Sequence, residues 1–207
     1  MNLDRRAEFE AQLSALHQAR DFSSLATQLI EGYGPELFGL LLSLHRQHSD
    51  ASDVFGLTCE HLWRGLPAFE RRASFRTWSY TVTRHASQRW RENDGSRRRR
   101  QVPLDEFPEL SAVEERVRTR TLNYLQSAVK DRFTELRQAL PEEDQLLLVL
   151  RVDRGLDWTE VAEVISGGSL GADKRASEAA RLRKRFQLLK DRLRADATAA
   201  GLVAGSD

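Results

Sequence analysis

Residues 75–92 read FRTWSYTVTRHASQRWRE. Phe75, Trp78, Val82, Ala86 and Trp90 recur at steps of three and four, the spacing of one helical face. This predicts a helix whose core side carries Trp78 and Trp90. The outward side is then Arg76, Thr77, Tyr80, Thr83, Arg84, His85, Gln88 and Arg91. Arginines interleaved with aromatics suit contact with nucleic acid. Gly95-Ser96 and the run Arg97–Arg100 break the helix; the run fits a phosphate or protein contact as well as a solvated stretch.

The segments around it are helical as well. Residues 5–31 predict two short amphipathic helices. Pro35 stands where a first-turn proline belongs, and Glu36–Gln47 follows with a Leu/Phe stripe. Asp50 fits an N-cap for a helix to about Arg64, with Gly65 as its stop and Pro67 beyond. Downstream, Pro103 and Pro108 sit among mixed charges without an apolar stripe before Val117, which predicts a linker over 96–115. A second helical unit begins at about 116, with one helix to about 139. Pro141, Glu142 and Glu143 open another, which Gly155 closes. Asp157 and Glu160 have capping-box spacing ahead of a short helix. Gly167, Gly168 and Gly171 make a loop, and Ala176–Ala195 is the last long helix. Strand-like alternation is absent.

Composition narrows the class. Of 207 residues, 40% are hydrophobic and 30% charged, enough apolar content for a packed core. No apolar run approaches the ~20 residues of a membrane span. The charged start MNLDRRAEFEAQL lacks a signal-peptide core, so a cytoplasmic location is expected. One cysteine excludes a disulfide framework and a multi-cysteine zinc module. The formal net charge of +1 conceals an uneven distribution. Residues 64–100 hold eleven arginines against three acids; residues 173–194 hold nine Lys/Arg against three acids. Asp105, Glu106, Glu109, Glu114 and Glu115 separate these islands. Two basic surfaces, one with interleaved aromatics, point to nucleic acid.

In the last helix Leu182, Phe186, Leu189 and Leu193 step by four, three and four and face the core. Arg181, Arg183, Lys184, Gln187 and Lys190 occupy the other faces, offering the groups that base edges and phosphates take. With the short capped helix before it, the pair has the form of a helix-turn-helix, though the loop at about 166–176 is long for one.

Taken together, the chain resembles the extracytoplasmic-function sigma factors of bacterial RNA polymerase. The resemblance runs from about Leu25 to Arg194. It rests on Asp50-Ala51-Ser52-Asp53-Val54-Phe55, Leu62-Trp63, Phe75 to Tyr80 and Thr83-Arg84-His85. In the second half it rests on Leu140-Pro141-Glu142, Gly155-Leu156, Val161 to Ile165, and Leu182 to Phe186. It implies an all-α chain of two helical domains, a sigma region 2 bundle and a sigma region 4 helix-turn-helix, joined by a flexible linker. The expected divisions are an N-terminal helical extension over 1–24, region 2 over 25–95, linker 96–115, region 4 over 116–195 and a disordered tail at 196–207. The implied partners are core RNA polymerase and promoter DNA, with an anti-sigma factor or a Ser/Thr kinase as regulators and no membrane.

The resemblance also assigns roles. Asp50, Asp53 and Glu60 match a contact to basic groups on the polymerase clamp. Relatives continue that motif with a polar-acidic pair where this chain has Gly56-Leu57. Arg76, Tyr80, Arg84, His85 and Gln88 match the minus-ten reader, with the loop Phe69–Ser74 matching a pocket for a flipped base. His85 stands where many relatives carry asparagine. Arg181, Arg183, Lys184, Arg185 and Gln187 match the minus-thirty-five reader. Thr58 matches a site of activating phosphorylation, where phosphate would add about two negative charges. The helical wheel instead turns Thr58 toward Val54 and Leu62, where a buried threonine bonds back to a helix carbonyl.

Enzymatic and metal chemistry find no support. His45, His48, Cys59 and His61 are four ligand-capable groups in a short span, but Cys59 and His61, two apart on one helix, point in nearly opposite directions, so a shared metal needs the helix broken. The glycines of 167–171 lack a phosphate-loop pattern. No nucleophile–base or paired-carboxylate spacing is present, so neither enzyme nor cofactor is expected. The rival readings are a freestanding helix-turn-helix regulator and a sigma-like adaptor.

Overall fold

A computed structural model describes residues 3–45, 47–92, 108–127, 137, 139–168 and 170–199. Among them are eight α-helices and no strand. The chain divides into two compact units, Met1–Leu125 and Gln126–Asp207.

In the first unit, α1 (Leu3–Gln18) leads through a turn at Arg20 into α2 (Phe22–Leu44). Asp21 caps α2, accepting from the Ser24 N–H at 3.1 Å. α2 runs unbroken through Pro35, where the sequence predicts a new start. A proline inside a helix removes one N–H bond and crowds the carbonyl four residues back, at a cost of ~3 kcal/mol. Here the helix continues because both sides of Pro35 are anchored. Leu25, Leu29, Ile30 and Tyr33 before it, and Leu37, Phe38, Leu40 and Leu41 after it, are all buried.

Helix α3 spans His48–Gly65 and passes directly into a 3-10 turn, Leu66–Ala68. Its N-cap is Gln47, so Asp50 is a first-turn residue rather than the cap. A carboxylate there still favours the positive end of the helix dipole. Helix α4 has the limits expected from its periodicity, Phe75–Glu92.

Residues 96–107 of the expected linker lie outside the described residues. Its remainder is helical: α5 spans Pro108–Ser127. Leu110, Val113 and Val117 form the stripe that the sequence reading missed, and all three are buried. Val117 lies against Gly34 of α2, so closely that a Cβ there would come within 2.9 Å of it. Residues 108–125 group with the first unit, whereas the sequence reading ends that body at 95 and starts the next at 116.

The second unit contains α6 (Glu142–Leu148), a π turn over Val149–Asp153, α7 (Trp158–Ile165) and α8 (Ala172–Ala199). The capping box forms as its spacing predicts. Asp157 Oδ1 accepts from the Thr159 and Glu160 N–H groups at 2.8 Å, and Glu160 accepts from the Asp157 N–H at 2.9 Å. Leu182, Phe186 and Leu189 are buried as expected, and Leu193 is half-buried. α8 begins before Ala176 and continues to Ala199, into the stretch expected to be a disordered tail; residues 200–207 lie outside the described residues.

Candidate nucleic-acid interface

Helix α4 buries more than its apolar spacing predicts: Phe75, Ala86 and Trp90 are in the core as expected, Trp78 and Val82 are half-buried, and polar residues join the buried side. Arg76 and Tyr80, expected on the outer face, are buried at 2% and 0% exposure. The carboxylate of Glu36 on α2 holds both. It accepts from Arg76 Nε at 2.9 Å and Nη2 at 2.8 Å, and from the Tyr80 hydroxyl at 2.9 Å. The guanidinium also lies 5.5 Å from the Tyr80 ring centroid. Neither side chain is presented to a ligand here, which corrects the outward placement of both.

Thr77, Ser79, Thr81, Thr83 and Ser87 are buried as well. Small hydroxyls can enter a core when they bond within their own helix. Ser79 donates to the Phe75 carbonyl at 2.7 Å, Thr81 to Thr77 at 3.1 Å and Thr83 to Ser79 at 2.8 Å. Ser87 is bonded to His45 Nε2 at 2.9 Å.

What remains at the surface of α4 is Trp78, Val82, Arg84, His85 and Arg91, half-buried, with Gln88, Arg89 and Glu92 exposed. Arg91 donates to the Leu44 carbonyl at 2.8 Å, closing the end of α2. Gln88 donates to Glu92 at 3.0 Å. Trp78, expected in the core, instead stacks on Phe69 of the preceding loop, with centroids 4.6 Å apart and planes 24° apart. Gly65 at the end of α3 makes room for that indole; an added Cβ would approach it to 2.9 Å.

Arginines act on both histidines where α3 and α4 meet. Burial lowers the pKa of His85, and Arg84 and Arg89 lower it further. Burial also lowers that of His61 on α3, with Arg89 and Arg64 acting in the same direction and Glu60 against them. Arg89 therefore faces both imidazoles, an element the sequence reading left out. Both rings are held toward the neutral form, in which they accept as well as donate hydrogen bonds.

On α3, Asp50 and Asp53 are half-exposed and both engage neighbouring groups. Glu60 pairs with Arg64 at 2.9 Å. Gly56 opens onto free space. Alongside, Glu114 of α5 is buried near Asp53 and Cys59. Thr58 is fully buried, and its hydroxyl donates to the Val54 carbonyl at 2.8 Å. A kinase cannot reach that hydroxyl in the folded domain, which removes Thr58 as a modification site there.

In the second unit the basic residues of α8 separate into two sets. Arg185 bonds Asp144 at 2.7 Å and Glu143 at 2.6 Å, tying α8 to α6. It is a structural residue of this unit rather than a free reader. Arg181 bonds Glu178 through Nε at 2.8 Å. Arg183 lies over the Trp158 ring at 5.7 Å, and Arg151 lies over the same ring at 4.9 Å. Lys184 and Gln187 are exposed.

Among the described residues, no group of three or more His, Cys, Asp or Glu is arranged to hold a metal, and no helix is long and apolar enough to cross a membrane.

Residues 29–97, about a third of the chain, match the sigma-70 region 2 family. That segment is a sigma-70 region 2 domain, and it contains most of α2, all of α3 and all of α4. The family consists of transcription initiation subunits, which are not enzymes. No curated protein and no solved structure matches the chain.

Proposed function

We propose that the chain is a sigma factor of the extracytoplasmic-function kind. In this reading α3 grips core RNA polymerase, chiefly through Asp50 and Asp53, with Glu60 contributing despite its pairing to Arg64. The loop at 69–74 and the solvent side of α4 open the minus-ten element. In this reading bases and phosphates pass along His85, Gln88, Arg84 and Arg89, and the support is that these side chains are half-buried or exposed and that the Phe69–Trp78 stack offers an aromatic edge. α8 reads the minus-thirty-five element through Lys184, Gln187, Arg183 and Arg181. The observation that carries the reading is a conjunction: the family match covers 29–97, and within those residues α4 presents a basic, aromatic-edged surface.

Co-elution with core polymerase tests it. The full-length chain is expected to bind the core enzyme of its source organism, and Asp53→Arg to weaken that binding at least tenfold by setting like charges together. A chain that never associates with core polymerase would contradict the proposal. It would favour a freestanding regulator that binds duplex DNA through the second unit alone, a reading that leaves the family match unexplained.

A further inference from the structure

Helix α1 precedes the family-matched segment, yet three of its side chains hold the loop that the proposed function places against unpaired DNA, or the elements that begin and end it. Ser14 accepts from Arg71 Nη2 at 2.6 Å. His17 Nε2 is bonded to the Leu66 carbonyl at 3.1 Å, and its ring sits edge-on to Phe69 and Phe75, at 6.2 and 5.9 Å. Glu10 accepts from the backbone N–H of Phe75 at 2.9 Å and of Arg76 at 3.0 Å, and from the Tyr33 hydroxyl at 2.7 Å. The loop is thus fastened at its entry, its middle and its exit, in each case to the same helix.

The middle fastening is the informative one. Arg71 has a φ of +57°, a left-handed conformation that an arginine adopts only against a steric cost. The residue is exposed and makes no contribution to a core. A turn of this kind persists when its surroundings over-determine it, and such turns cluster where a ligand is clamped. The bond from Arg71 to Ser14 supplies the constraint, while Glu10 fixes the first N–H groups of α4, where an unfastened helix end frays.

From this geometry we infer that α1 is a positioning element for base selection: Ser14, His17 and Glu10 preset the 69–74 loop so that it accepts one unpaired base in a fixed orientation. Preorganisation of this kind lowers the ordering cost of binding and sharpens discrimination between bases. The inference rests on the proposed sigma-factor reading, because it takes the ligand of the loop to be single-stranded DNA. Ser14 and His17 touch the loop and Glu10 the first turn of α4 that follows it, so in this reading all three act through the loop.

The test uses full-length chain bound to core polymerase and a randomised single-stranded DNA pool, with bound sequences recovered and counted. The wild type is expected to enrich a short motif with one dominant base. Ser14→Ala is expected to lower the preference at that base about fivefold, the size of one lost discriminating contact, with affinity for core polymerase unchanged. Ser14→Thr, which keeps the hydroxyl, is expected to restore it. A purely structural role makes the opposite prediction, since alanine is the better helix former and would leave the motif intact. An unchanged motif in Ser14→Ala and in Glu10→Gln would overturn the inference and leave the sigma-factor reading standing. A wild-type complex that enriches no sequence beyond core polymerase alone would overturn the sigma-factor reading, and the inference with it.

Discussion

Glu36 shows how one side chain can decide which face of a helix is hidden. Its carboxylate takes three hydrogen bonds from Arg76 and Tyr80 and so draws a guanidinium into the bundle. Removing one partner of a buried pair leaves the other uncompensated, at a cost of ~3 kcal/mol or more. Glu36→Gln is therefore expected to lower stability to urea by about 3 kcal/mol. A variant as stable as the wild type would show that Arg76 is satisfied by other groups. Glu114 acts in the opposite direction. Burial raises its pKa; Arg118, 3.7 Å away, opposes this, and Glu115 and Asp53 reinforce it. A carboxyl whose folded pKa lies above its unfolded value favours folding while protonated, and that advantage fades as pH rises through the window between the two. Glu114→Gln is thus expected to stabilise the first unit at pH 7, by about 1 kcal/mol, and much less at pH 4. Equal gains at both values in urea titrations would refute this account of Glu114.

At the scale of elements, local signals were legible and the choice of partners was not. The limits of α4 and the Asp157–Glu160 capping box follow from short-range spacing, and both stand in the structure. Asp157→Ala should accordingly cost about 1 kcal/mol in the second unit, seen as a lower melting temperature there. Pro35 misled because its local meaning is a helix start, whereas the leucines on both sides hold α2 together. The stripe of α5 was hidden by the charges among Leu110, Val113 and Val117. Phe75, Ala86 and Trp90 of α4 lie inward as their spacing predicts, but the polar part of its buried side was illegible for a related reason. Serines and threonines that bond within their own helix behave as core residues, and a paired arginine can follow them. On α8 the same distinction sorts the candidate site. Lys184→Ala with Gln187→Ala is expected to weaken duplex binding by the polymerase-bound chain about tenfold, with the fold unaffected. Arg185→Ala is expected to lower the melting temperature first, because it severs the link to Glu143 and Asp144. If the two variants behaved alike, the division of α8 into reading and fastening residues would be wrong.

At the scale of the whole molecule, a net charge of +1 is the sum of surfaces with different tasks. The first unit sets acidic groups on α3 and basic groups on α4. Among the described residues, the basic and exposed ones of the second lie on α8. An electrostatic division of this kind suits a subunit that must hold a protein partner and DNA together. In the proposed function the chain confers promoter choice on RNA polymerase. That role is tested most directly by transcribing source-organism genomic DNA in vitro with core polymerase, with and without the full-length chain, and sequencing the 5′ ends. The account predicts new transcripts that begin at a limited set of positions sharing upstream sequence elements. Identical transcripts in both reactions would contradict it.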